Sequence, residues 1–110
     1  MRIQFDAFRA KLPLPATDVW PEGVWDIEAF RQGDMSCVLF APRGADYQTS
    51  HRQDELYVVL RGNGILSIEE APLPFQEGDL LFVPAGKNHR FSEFSADLAT
   101  WAIFLGSPSW

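Results

Sequence analysis

Short apolar runs alternate along this chain with clusters of Gly, Pro and Asp, and no run is long. Val24–Phe30 alternates apolar with polar residues, the period of a strand that buries one face. Gln32-Gly33-Asp34 reads as a turn and Met35–Phe40 as a buried strand. Beyond the Pro42-Arg43-Gly44 break come two extended segments, around Tyr47–His51 and Glu55–Leu60. Gly62-Asn63-Gly64 predicts a hairpin, because glycine accepts positive φ without a Cβ clash. Ile65–Glu69 and Leu73–Phe75 follow as strands. Gly78-Asp79 then turns into Leu80–Val83, and His89–Phe94 and Ala99–Leu105 complete the series. Only Asp6–Leu12 offers a helix, and a short one.

Strands this short, with turn signals roughly every 8–12 residues, predict an all-β antiparallel sandwich or barrel. The eight-stranded jelly roll is one of several architectures that fit.

Composition narrows the functional classes. A length of 110 residues fits one domain, 1–110, and 46% hydrophobic residues supply its core. A net charge of −6, with no basic cluster against it, excludes a nucleic-acid partner, whose phosphates it would repel. No stretch approaches the roughly 18 apolar residues of a membrane span, so no membrane partner is expected. The first residues carry no apolar run of signal-peptide length, and Cys37 has no partner for an intrachain disulfide. A reducing cytoplasm is the expected location.

The chain has two histidines, His51 and His89. On a continuous strand, residues 49, 51, 53, 55 and 57 would share a face, which places His51 and Glu55 together with Thr49 and Gln53 beside them. Imidazole and carboxylate are ordinary ligands of divalent Zn, Fe, Mn or Ni. His89, arriving from a distant strand, would complete a three-ligand site with positions open to water or substrate. Duller roles compete: either imidazole bonded to a backbone carbonyl, or Glu55 in a salt bridge with Arg52 or Arg90. Tyr57 and Phe91 lie two residues from Glu55 and His89 and are expected to line the pocket. Trp20, Trp25 and Trp110 are expected to serve packing or dimer contacts.

Two segments, around 49–62 and 78–93, carry a more specific pattern. His51, Glu55 and Gly62 resemble the first cupin motif, His-x-His, three or four residues, Glu, six residues, Gly. Gly78, Pro84, Gly86 and His89 resemble the second, Gly-x5-Pro-x-Gly-x2-His-x3-Asn, with Glu93 in place of the Asn. The resemblance implies a double-stranded β-helix, a homodimer, and one divalent metal per chain inside the barrel on His51, Glu55 and His89. Thr49 stands where the family has its first histidine, and a neutral hydroxyl is a poor ligand. Water, Gln53 from the same face, or Gln48 across a bulge would fill that place.

Cupins run many reactions, so two expectations stand. One is a metal-dependent enzyme, oxygenase- or isomerase-like, acting on a small polar organic molecule. The alternative is a non-catalytic sensor or carrier that holds a small ligand or metal in the same pocket.

Overall fold

Which side of a strand is buried follows from alternation, and β3 shows it plainly. Along Asp54–Arg61 the residues Glu55, Tyr57 and Val59 are buried while those between them are not. The computed structural model describes residues 1–106. In it a short helix α1 (Phe5–Arg9) precedes β1 (Asp26–Gln32), β2 (Met35–Phe40), β3, β4 (Asn63–Ile68), β5 (Ala71–Gln76), β6 (Leu80–Val83), β7 (His89–Ser92) and β8 (Ala99–Leu105). The strands form two antiparallel sheets, β1-β2-β8-β3-β6 and β5-β4-β7. Together they make a jelly roll, one of the architectures the strand spacing allowed.

The core lies between the sheets. Phe40, Tyr57, Val59, Leu81 and Val83 of the larger sheet meet Leu66, Phe75 and Phe91 of the smaller one. Paired residues in an antiparallel ladder project to the same side, so the register defines inward-facing rows. Asp26 pairs with Phe40 and Phe40 with Thr100; Val38 pairs with Ala102 and Ala102 with Tyr57; Ser36 pairs with Phe104 and Phe104 with Glu55. The opposite, outward rows are also apolar. Leu56 pairs with Ile103 and Phe82, and Val58 with Trp101 and Leu80. Of these, Leu80 and Phe82 are the most open to solvent, at 65% and 51%.

Several expectations change at the level of elements. Gly62-Asn63-Gly64 is not a hairpin, because β3 and β4 belong to different sheets and the chain turns a corner there. Gly62 adopts a φ of 89° at this corner. Gly64 needs no positive φ; a Cβ there would meet the Phe94 Cα at 2.8 Å. The two-residue hairpins fall elsewhere, at Gly33-Asp34 between β1 and β2 and at Glu69-Glu70 between β4 and β5. Tyr47–His51 forms no strand, β1 starts later than Val24 and runs on to Gln32, and α1 ends at Arg9. Trp110 lies outside the described residues.

Candidate metal centre

His51 sits in the irregular segment just before β3, Glu55 in its first turn of alternation, and His89 at the start of β7. Two backbone contacts knit these segments together. The Gly86 N–H donates to the His51 carbonyl at 2.7 Å, and the Ala85 N–H donates to the Asp54 carboxylate at 2.9 Å. Asp54 thus pins the turn that precedes His89 against the start of β3. The loop from 84 to 88 is thereby tied to the larger sheet, while His89 belongs to the smaller one.

The strand geometry expected around 49–57 does not exist, since β3 begins at Asp54. His51 reaches the site from a bend. Its Nε2 lies 3.9 Å from Glu55 Oε1, and His89 Nε2 lies 3.0 Å from the same oxygen. One ligand atom from each of His51, Glu55 and His89 falls within 4.8 Å of the others. Glu55 and His89 are buried, and His51 is half-buried. Neither Arg52 nor Arg90 forms a salt bridge with Glu55 among the described residues. The Arg90 guanidinium lies 3.5 Å from the Gln48 carbonyl instead.

The hydrogen-bond donors and acceptors here do not balance. Lys87 O, which can only accept, lies 3.1 Å from His89 Nδ1, so Nδ1 carries the proton. In a neutral ring the lone pair of Nε2 then faces Glu55 Oε1, and that buried oxygen has no hydrogen-bond partner. A third acceptor converges on the same spot: Gln48 Oε1 is 3.2 Å from His89 Nε2 and 3.4 Å from His51 Nε2. Converging lone pairs repel unless a cation lies among them, either a shared proton or a metal ion. The donor set fits a divalent metal.

Gln48 is held in this orientation by Asp46. The Gln48 side-chain amide donates to Asp46 Oδ2 at 2.6 Å and its backbone N–H to Asp46 Oδ1 at 3.0 Å, while the Phe91 N–H also donates to Oδ2 at 2.9 Å. With its NH₂ engaged, Gln48 turns its oxygen toward the imidazoles. The Tyr57 hydroxyl donates to that oxygen at 3.1 Å. Thr49 is exposed at the cavity mouth, and the Gln53 amide donates to Asp34 O and Gly106 O. Of the three residues named for the fourth position, Gln48 alone turns a side-chain oxygen onto both imidazoles.

Charge states follow from surroundings. Burial pulls the His51 imidazole below its ordinary value of 6.5, with Glu55 pulling the other way. Burial also pulls on His89, but the contacts with Glu55 and the Lys87 carbonyl outweigh it and lift His89 above 6.5. Tyr57 is driven well above 10 by burial and by the neighbouring Glu55, so it stays a neutral phenol.

A cavity of about 470 Å³ opens onto His51 and Glu55. Its walls are Trp20, Val38, Phe40 and Phe104, with Asp26 and Tyr47 among the polar lining. Trp20 meets Phe40 and Tyr47 edge-on, so this residue shapes the cavity. Trp25 instead lies beneath the Arg43 guanidinium. Tyr57 and Phe91 pack edge to face at 4.9 Å in the core, and neither lies on the cavity wall. Asp26 and Trp20 on the cavity wall, and Asp46 behind Gln48, are the residues around the site that sequence reasoning did not place there. A lone acid among 15 has no local signature.

Comparison with known proteins agrees with this fold. The family model described as cupin domain matches residues 36–103. The uncharacterised protein SCO3923 of Streptomyces coelicolor is 31% identical over 80 residues, covering 71% of this chain and 76% of its own. An acireductone dioxygenase of Leishmania infantum is 35% identical over 66 residues, or 54% of this chain, which spans only 19% of that enzyme's length. Among solved structures, the plu4264 protein of Photorhabdus luminescens superposes with a TM-score of 0.69 at 18% identity, over 97% of this chain and 87% of that one.

Proposed function

The chain belongs to the cupin domain family, and from that premise we propose that it is one cupin domain binding a single divalent metal on His51, Glu55, His89 and Gln48, and that it is a metal-dependent enzyme acting on a small organic molecule. The observation that carries this reading is Glu55 Oε1, a buried carboxylate oxygen that faces imidazole nitrogens and has no hydrogen-bond donor while those rings are neutral. Zn, Fe, Mn and Ni all accept such a donor set, and the bound ion would supply Lewis acidity to an oxygen of the substrate.

The chain's own residues do the rest. Asp46 fixes the Gln48 amide, and the Lys87 carbonyl fixes the His89 tautomer so that Nε2 faces the site. The apolar walls exclude water from one side of the substrate, which strengthens every polar contact inside. An oxygenase-like reaction draws support from the similarity to the acireductone dioxygenase segment.

Elemental analysis of the purified chain should find about one divalent metal per chain, and His89→Ala should remove most of it. Wild-type protein that stays metal-free after incubation with Zn, Ni, Fe and Mn would overturn the proposal. A metal-loaded chain that neither consumes oxygen nor alters any component of a metabolite mixture would leave the sensor or carrier role instead.

A further inference from the structure

Asp26 is a carboxylate on a face that should be apolar. It pairs with Phe40 in the ladder and so points to the same side as that core residue, inward. There it lines the cavity that holds His51 and Glu55, among Trp20, Val38, Phe40 and Phe104. It also lines the adjoining cleft beside His51. Among the described residues no hydrogen bond or salt bridge engages its side chain. The contrast with Glu28, two residues on, is informative. Glu28 faces the same cleft, but Arg31 holds it at 2.9 Å, which also occupies the cation nearest in sequence. Burial pushes the Asp26 carboxyl above its ordinary value, as expected of an acid losing water without gaining a partner.

We infer that Asp26 is the specificity-determining group of this pocket, accepting a hydrogen bond from an ammonium or hydroxyl on a ligand whose opposite end chelates the metal. This inference rests on the metal centre proposed above. The metal ligands and Asp26 then impose a ligand pattern: an oxygen chelator, an apolar body against Trp20 and Phe104, and a donor group at Asp26. A ligand lacking the donor leaves a desolvated carboxylate unpaired, and a ligand bearing an anion there is repelled. Sites built this way discriminate strongly against analogues that miss the hydrogen bond.

Substituted benzohydroxamates supply the pattern as probes: a chelating end, an aromatic body, and a variable para group. The full chain, loaded with zinc, is titrated calorimetrically with the 4-aminomethyl, 4-hydroxymethyl, 4-methyl and 4-carboxy compounds. The aminomethyl and hydroxymethyl probes should bind wild type about tenfold more tightly than the methyl probe, with the carboxy probe weakest. Asp26→Asn, nearly isosteric, should abolish the advantage of the ammonium and relieve the rejection of the carboxylate. Asp26→Leu should favour the methyl probe. Zinc content is measured for every variant and should stay at the wild-type level, because Asp26 is not a ligand. Zinc retained with the same probe ranking in all three proteins would overturn the role of Asp26 alone. Absence of zinc from the wild type itself would overturn the metal centre and this inference with it.

Discussion

The two imidazoles sit a few ångströms apart, yet their surroundings push them in opposite directions. Burial lowers His51, while Glu55 and the Lys87 carbonyl raise His89 against its burial. In the metal-free protein, NMR titration should therefore find His51 with a midpoint below 6.5 and His89 above it. Identical midpoints would mean that Glu55 does not hold a proton on His89. The linkage follows from the signs. The raised His89 value contributes stability that is full below about 6.5 and is lost as pH rises through its folded midpoint. His51 acts oppositely, its depressed value costing stability as pH falls. A metal must displace the His89 proton, so metal affinity should climb as pH rises through that same midpoint. Asp46 governs a different property of the site. Asp46→Ala releases the Gln48 amide and orphans the buried Phe91 N–H, so metal affinity should fall roughly 10–100-fold and stability by about 1–3 kcal/mol. Gln48→Ala should weaken the metal with a smaller loss of stability. Chelator competition and urea unfolding measure the two quantities, and unchanged affinity in both variants would remove Gln48 from the ligand set.

Strands and corners are where the reading of the sequence succeeded unevenly. Met35–Phe40 and Ala99–Leu105 are strands over those limits, because each is an apolar run bounded by turn residues. Gly62-Asn63-Gly64 misled, since a hairpin and a corner between sheets both ask for glycine, and only the partners of the flanking strands tell them apart. The same failure affected the site. His51 and Glu55 were paired by strand alternation, but the strand starts at Asp54, and their meeting comes from a bend pinned by Gly86 and Ala85. Gln53 does lie in the cleft beside His51, but its amide is engaged by the Asp34 and Gly106 carbonyls. The glycines also offer a test. Gly62 and Gly78 have nearly equal φ, 89° and 93°, so alanine pays a similar backbone cost at each, about 1–2 kcal/mol. A Cβ at Gly78 meets nothing within 4 Å, whereas at Gly62 it meets Ser95 Oγ and lies 3.0 Å from the Leu98 Cα. Denaturant unfolding should show Gly62→Ala destabilised more than Gly78→Ala by about 1–3 kcal/mol. Equal losses would mean that the corner yields.

At the scale of the whole molecule, the outward face of the larger sheet remains apolar. Leu56, Val58, Trp101 and Ile103 are only partly covered, and Leu80 and Phe82 stand open. Such a face suits a second copy of the chain, and a homodimer through it is the expected assembly. Phe82→Glu should shift the mass measured by light scattering from dimer to monomer without loss of metal. A wild-type mass of one chain across a wide concentration range would defeat this expectation. The order of strands in that sheet also fixes when the molecule comes into being. β8, the last strand among the described residues, lies in the middle, between β2 and β3. On the ribosome, β1 and β2 and then β4 and β5 emerge as adjacent pairs, but β2 and β3 have no shared neighbour until residues 99–105 have left the exit tunnel. The segments bearing His51 and Glu55 are among the earlier ones made and among the last to be given a fixed frame. The pocket thus waits on residues 99–105, and any ion is acquired only once β8 has docked between β2 and β3.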